Sequence, residues 1–93
     1  MTWTVVQARR FARQYKKLPD NTAAAVDDAV AAVADNPKIG ERKKGDLARL
    51  RVYKFHCGSQ LYLLGNTSDD EVIRLVTLEA VAPHENFYRD IKR

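Results

Sequence analysis

The stretch from Lys43 to Phe55 constrains the fold of this 93-residue chain more than any other, because a basic loop leads directly into a strand-like segment. From residue 50 to residue 56 the side chains show the two-residue period of a β-strand. Between Lys38 and His56 there are seven basic and two acidic residues, a local charge of +5 against +4 for the whole chain. Positive charge is therefore concentrated on one loop-and-strand unit, which favours an anionic partner there.

Composition narrows the class of protein. A chain of this length is expected to form one domain, residues 1–93, with a small core. It has no apolar run of membrane-spanning length and no signal-peptide region, and its single Cys57 favours a reducing cytoplasm. With only His56 and His84 as histidines, no metal site and no other cofactor are expected. The net charge favours nucleic acid or an acidic protein as partner and leaves these alternatives open.

Two helices are predicted before the basic unit. The first covers residues 7–17, where apolar side chains recur at helical spacing on one face, and Pro19 ends it. The second covers residues 20–34 and is rich in alanine, which has high helix propensity. The connection between them is short, so the two helices are expected to form an antiparallel hairpin.

The second half of the chain is predicted to form an antiparallel meander of three strands. The strands cover residues 50–56, 60–65 and 71–81, with turns at residues 57–59 and 66–70.

Two further segments complete the predicted architecture. Residues 3–6 are either a brief first strand or an extended lead-in, and residues 84–92 are expected to form a short helix. The fold class is therefore α+β, an N-terminal helical hairpin packed on one face of an antiparallel β-sheet with a short C-terminal helix. The opposite sheet face is expected to stay bare and to receive a partner or a substrate.

Several fragments together resemble the RelE/ParE superfamily of type II toxin–antitoxin toxins, and especially its ParE-like branch. These fragments are residues 15–19, 36–37, 43–47, 51–55 and 84–90. The resemblance implies a cytoplasmic toxin that is neutralised by an acidic antitoxin encoded beside it. It also implies one of two targets, because RelE-like members cut mRNA in the ribosomal A site whereas ParE-like members inhibit DNA gyrase.

The C-terminal segment carries the candidate proton donor. In RNA-cutting relatives a basic residue after the last strand is followed by an aromatic one near the C-terminus, and His84 and Tyr88 match that pattern. The resemblance implies that His84 protonates the 5′-oxygen leaving group and that Tyr88 stacks on a splayed base. The two residues are four positions apart, so they share one face of the predicted helix.

The basic strand supplies candidates for stabilising the phosphate charge. Arg51 and Tyr53 lie on one face of the predicted strand and Lys54 on the other, so not all three can reach one phosphate. Arg51 is favoured if Val52 faces the core, and Lys54 if Phe55 does.

Other candidates for RNA binding are three basic residues and one neutral residue at a position where RNA-cutting relatives often carry arginine. They are Lys43, Lys44, Arg49 and Gln60, in addition to Tyr53.

The sequence therefore leaves two functions open. The first is a metal-independent, ribosome-dependent mRNA endonuclease, favoured by His84 and Tyr88 together with Arg51. The alternative is a ParE-like inhibitor of DNA gyrase without catalytic activity, favoured by the neutral Gln60 and by the ParE-like central motif. Neither reading predicts a membrane partner.

Overall fold

The computed structural model describes residues 3–69 and 75–91, apart from the side chain of Asp46. The elements, in chain order, are β1 (Thr4–Gln7), α1 (Arg9–Lys16), α2 (Asp20–Asp35), β2 (Glu41–Arg42), a 3₁₀ turn (Gly45–Leu47), β3 (Arg51–Cys57), β4 (Gln60–Asp69), β5 (Leu75–Pro83) and α3 (His84–Ile91). Within the described ranges, no helix is long and apolar enough to cross a membrane.

The five strands form one mixed sheet in the order β1-β5-β4-β3-β2. The pairs β2–β3, β3–β4 and β4–β5 are antiparallel, whereas β1 runs parallel to β5 at the edge of the sheet. The α+β class, the helical hairpin and the short C-terminal helix are confirmed. The first segment, for which the sequence allows either a strand or an extended lead-in, is the strand β1.

The helical hairpin covers one face of the sheet and forms the first core. Phe11 of α1 and Val26 and Val33 of α2 are buried against Leu64 and Leu78 of the central strands. Burying side chains of this size removes roughly 1.5–3 kcal/mol of unfavourable hydration each, so this layer holds the hairpin on the sheet.

The sequence predicts that the other face of the sheet is bare, and this prediction is wrong, because α3 packs across part of that face. Phe87 of α3 is completely buried in a second core with Leu50, Val52, Leu63 and residues of β5. Among the described residues, Phe87 is the one fully buried side chain of α3, and the small Ala80 and Ala82 of the sheet beneath it let the helix approach.

The turn predicted at residues 66–70 is wrong over its first four residues. β4 continues to Asp69 and pairs with β5 beyond a bulge at the Gly65–Asn66 step. The polar side chains of this segment are typical of a turn, but Asn66 is completely buried in the strand. Its amide donates to the carbonyl of Pro37, which satisfies the donor inside the protein. The start predicted for the third strand, residues 71–74, lies outside the described residues.

Gly65 determines how closely α3 approaches the sheet. A Cβ atom at this position would lie 2.8 Å from Cζ of Phe87 and 3.1 Å from Cδ1 of Leu50. Both distances are shorter than van der Waals contact, so a side chain here would displace the ring that anchors α3. The height of α3 above the sheet therefore depends on the absence of a side chain at Gly65.

We predict that Gly65→Ala lowers the free energy of unfolding by about 1–3 kcal/mol, the usual cost of overpacking a core. Chemical denaturation of the two proteins measures this loss. The same substitution in a Phe87→Leu background, which lacks the Cζ atom, should cost less. An equal loss in both backgrounds would contradict the proposed clash.

Candidate functional site on the α3 face

The alternation of β3 decides which of its polar side chains share a surface with α3. Tyr53 and Phe55 pack against the core beneath the helical hairpin, whereas Val52 is buried in the core beneath α3. Successive side chains of a strand point to opposite faces, so the exposed Lys54 lies on the α3 face with Val52. Of the two cations left open by the sequence, the structure thus places Lys54 on the face that carries α3.

Arg51 lies on the opposite face and has a different environment. Its Nη1 donates to the carbonyl oxygens of Lys38 and Gly40, at 3.3 and 3.2 Å. Tyr53 is also half-buried on that face and stacks on Phe55, with the ring centroids 6.3 Å apart. The expected grouping of Arg51 with His84 and Tyr88 is therefore not found, because Val52 occupies the α3 face at this level of the strand.

Tyr88 and Lys43 are in contact with each other on the α3 face. The Tyr88 ring packs edge-on against Phe87, with centroids 5.1 Å apart and planes at 85°. The Nζ atom of Lys43 lies 5.4 Å from the centroid of the Tyr88 ring and 3.5 Å from Oε1 of Glu41. The Lys43 side chain is only 21% exposed, which is unusual for lysine and indicates that the contact holds it in place.

The environment of Lys43 favours its charged form. A hydrogen bond with Tyr88 raises the pKa of Lys43 above its ordinary value, and the carboxylate of Glu41 adds to this effect. Partial burial acts in the other direction but is outweighed. Lys43 is consequently a fixed positive charge at neutral pH, and it lies over the ring that the sequence proposed for stacking.

His84 and Gln60 lie near the first turn of α3. His84 is exposed at the first position of the helix, one turn before Tyr88 and on the same side. The Nε2 atom of Gln60 donates to the carboxylate of Glu85, at 3.4 and 3.5 Å from its two oxygens. The Gln60 amide is thus already paired, whereas the imidazole of His84 is accessible to a ligand from solvent.

Lys44 and Arg49 belong to the segment that joins β2 to β3, and both are exposed. Lys44 borders a concavity beside Gly45, where it lies next to Lys43. Arg49 lines a cleft of about 260 Å³ that also includes Arg10 and Ile91, at the C-terminal end of α3. Arg49 is therefore at the opposite end of α3 from His84, and the RNA-binding candidates do not form one compact cluster.

Three structurally important residues were not anticipated from the sequence. The sequence predicts a turn at Asn66 and a strand end at Gly65, and it predicts no role for Glu41. In the structure Asn66 binds the carbonyl of Pro37, Gly65 lets α3 approach the sheet, and Oε1 of Glu41 lies 3.5 Å from Nζ of Lys43. The Gly–Asn pair within an apolar strand was a usable sign of a bulge. Among the residues described here, no group of three or more His, Cys, Asp or Glu side chains is arranged to hold a metal ion.

The family model of the ParE-like toxin of type II bacterial toxin–antitoxin systems matches residues 5–92. The chain therefore belongs to this family of toxins. Comparison with curated protein sequences finds no match.

Solved toxin structures share the fold. A doubly substituted RelE toxin of Escherichia coli in the free state is 18% identical, with 99% of this chain and 92% of that chain covered and a TM-score of 0.75. The RelBE2 toxin–antitoxin complex of Mycobacterium tuberculosis is 24% identical, with 90% and 100% covered and a TM-score of 0.76. The intact RelBE toxin–antitoxin complex of E. coli is 19% identical, with 86% and 94% covered and a TM-score of 0.71.

We predict that Lys43→Met lowers the free energy of unfolding at pH 7 by about 0.5–1 kcal/mol, the usual size of a cation–π contact. Because folding raises the pKa of Lys43, the contribution of its charge is present below the ordinary value of 10.5 and is lost as the pH rises through the folded-state value. The difference between the two proteins should therefore shrink above pH 10.5. Denaturant titrations at neutral and alkaline pH measure it.

Lys44→Met is the matched control, since Lys44 is the exposed neighbour of Lys43. It should change stability little at either pH. A Lys43→Met effect that stays constant into the alkaline range would show that the lysine stem, and not its charge, stabilises the fold.

Proposed function

We propose that this toxin is a metal-independent, ribosome-dependent mRNA endonuclease whose site is the α3 face. The observation that carries the proposal is the protonated Lys43 held over the ring of Tyr88, one helical turn from the exposed His84. Lys54 lies on the same face of the sheet. The resemblance to RelE-like toxins suggests ribosome-bound mRNA as the substrate.

The proposed reaction needs no covalent enzyme intermediate. The ribose 2′-oxygen attacks the adjacent phosphorus, and its proton passes to solvent or to a neighbouring base. The bond from phosphorus to the 5′-oxygen then breaks, which leaves a 2′,3′-cyclic phosphate and a 5′-hydroxyl. His84 gives its proton to the departing 5′-oxygen, a general-acid role that histidine often takes in enzymes.

The remaining side chains stabilise charge and position the RNA. Lys43 and Lys54 are assigned to the negative charge that builds up on the phosphate oxygens, where a fixed ammonium is most effective. Tyr88 supplies an aromatic ring that is already held in place by Phe87, so little side-chain entropy is lost when a base stacks on it. Lys44, exposed beside the site, contributes contacts to the RNA backbone.

A cognate acidic antitoxin is the proposed protein partner. Two of the solved structures with this fold are toxin–antitoxin complexes, and the chain has a net charge of +4. Lys44 and Lys54 are exposed and Lys43 is partly exposed, so an acidic segment that folds on binding would find positive charge there. Growth arrest that is not relieved by co-expression of the neighbouring gene product would contradict this assignment.

One structural observation favours the alternative of a non-catalytic gyrase inhibitor. Arg51 and Tyr53 lie away from α3, so the central strands offer the α3 face fewer polar groups than the sequence suggested. Val52 and Leu63 occupy that face instead, and the Gln60 amide is paired with Glu85. An inhibitor that acts by binding needs no proton donor, so this less polar face is compatible with it.

We predict that His84→Gln retains ribosome binding and lowers the rate of mRNA cleavage by about a hundredfold or more, the usual contribution of a general acid. Glutamine keeps a hydrogen-bond donor of similar reach but cannot transfer a proton at neutral pH. Single-turnover cleavage of mRNA on purified ribosomes measures the rate, and co-sedimentation measures the binding.

His56→Gln is the matched control, because His56 is the other histidine of the chain and is exposed on β3. It should cleave at the wild-type rate, and a selective loss in this variant would move the proton donor to His56. Plasmid supercoiling is measured in the same cells as the mRNA ends. Intact mRNA together with relaxed plasmid would contradict the endonuclease proposal and support the gyrase inhibitor.

We further predict that Lys54→Gln lowers the cleavage rate by about a hundredfold, the usual effect of removing one group that stabilises transition-state charge. Lys17→Gln removes the same charge at the end of α1, in the helical layer, and should leave the rate unchanged. A comparison at two salt concentrations separates a loss of charge stabilisation from weaker RNA binding. An equal loss in both variants would reduce the role of Lys54 to general electrostatic attraction.

A further inference from the structure

The sequence makes Arg51 a candidate for contacting the RNA phosphate, but in the structure this side chain binds the protein's own backbone. Its Nη1 binds the carbonyls of Lys38 and Gly40 at 3.3 and 3.2 Å. A guanidinium that binds two carbonyls of one short segment restricts the path of that segment. It also leaves this side chain facing away from α3.

Asn66 binds the same segment from the neighbouring strand. Arg51 and Asn66 are direct partners in the β3–β4 ladder, and Nδ2 of Asn66 donates to the carbonyl of Pro37 at 3.1 Å. Asn66 is completely buried, and its Oδ1 has no hydrogen-bond partner in the part of the chain that the structure describes. A buried acceptor without a partner is costly, so the residue is poorly explained by packing alone.

Together these two side chains hold three of the four carbonyls in residues 37–40, which we call the anchored segment. Gly40 ends it and lies so close to β3 that a Cβ atom would be 2.7 Å from the carbonyl carbon of Val52. The following strand β2 has only two residues in its ladder, so it offers little pairing of its own to fix the chain.

The anchored segment leads directly to Lys43. Glu41 and Arg42 pair with β3, and the amide of Lys43 donates to the carbonyl of Leu50 at 3.0 Å. Only two residues separate Gly40 from Lys43, so a shift of the segment moves the ammonium from its place over Tyr88.

We propose that Arg51 and Asn66 are positioning residues, which bind the anchored segment and thereby hold Lys43 over Tyr88. Their part in RNA cleavage rests on the proposed function of the α3 face. Their effect on the position of Lys43 does not depend on any activity and can be tested separately.

The direct test follows the side chain of Lys43 by NMR in the whole protein. The Tyr88 ring should shift the Lys43 Hε signals upfield, and the pKa read from these signals should be above the ordinary value. Arg51→Lys keeps the charge but loses the planar fork that binds two carbonyls, and Asn66→Ser loses the reach to Pro37. Both variants should stay folded and lose most of the upfield shift and of the pKa increase.

Arg13→Lys is the matched control, since Arg13 is exposed on α1 and makes the same chemical change elsewhere. It should leave the Lys43 signals as in the wild type. Folded Arg51→Lys and Asn66→Ser proteins with unchanged Lys43 signals would overturn the proposal, because a merely stabilising role lowers the unfolding temperature without moving Lys43.

A measurement on the wild type keeps the proposal testable if both variants fail to fold. The amide of Lys43 should exchange with solvent as slowly as the core amides of β3, because the anchored segment opens only with the domain. Much faster exchange, by local fraying of β2, would overturn the proposal.

Cleavage assays then separate this proposal from the proposed function. If the wild type cleaves mRNA, Arg51→Lys should lower kcat by about tenfold to a hundredfold with little change in KM, as expected for a misplaced group. If the wild type cleaves no RNA, the proposed function fails while the Lys43 signals still decide the positioning role. Displaced Lys43 signals together with full cleavage would overturn the role in catalysis.

Discussion

The burial of the middle of β4 on both faces is the constraint on which the rest of this structure depends. Leu64 lies in the core beneath the helical hairpin and Leu63 in the core beneath α3, so the neighbouring β3 must match both faces. Val52 is committed to the α3 core, and this fixes Arg51 and Tyr53 on the hairpin side and Lys54 on the α3 side. A register shift of one residue would exchange these assignments and turn Lys54 toward the core beneath the hairpin.

The sequence predicted the helices and strands better than it predicted which distant segments pair with one another. The helical hairpin, β3 and α3 follow from periodicity and from Pro19, which are local signals. The parallel pairing of β1 with β5 joins segments some seventy residues apart, and no local pattern reports it. The end of β4 was missed for a related reason, because Asn66 is a turn former by composition and its partner, Pro37, is distant in the chain.

The candidate site shows the same division between local and non-local information. The spacing of His84 and Tyr88 predicted their common side of α3, since a helix determines it. Whether Arg51 or Lys54 accompanies them depends on which face of β3 meets α3, and alternation alone leaves that choice open. The pairing of Lys43 with Tyr88 depends on the height of α3, which Gly65 permits, and on the anchored segment. The contacts of that segment with Arg51 and Asn66 join residues that are distant in the chain, so no local pattern predicts them.

The separation of Arg51 from α3 does not remove its charge from the field of the protein. A hydrogen bond to a carbonyl leaves the guanidinium charged. Salt screens charges over a Debye length of about 8 Å at physiological ionic strength, which is comparable with the thickness of a sheet, so the charge is still felt across it. Arg51 therefore still attracts an anionic partner approaching β3, but it cannot touch a phosphate on the other face. Steering depends on the total charge of the basic unit, whereas catalysis depends on contact. The basic residues between Lys38 and His56 thus have different roles. All of them attract an anionic partner, Arg51 also binds the backbone of the anchored segment, and Lys43 and Lys54 lie on the α3 face where they can contact a phosphate.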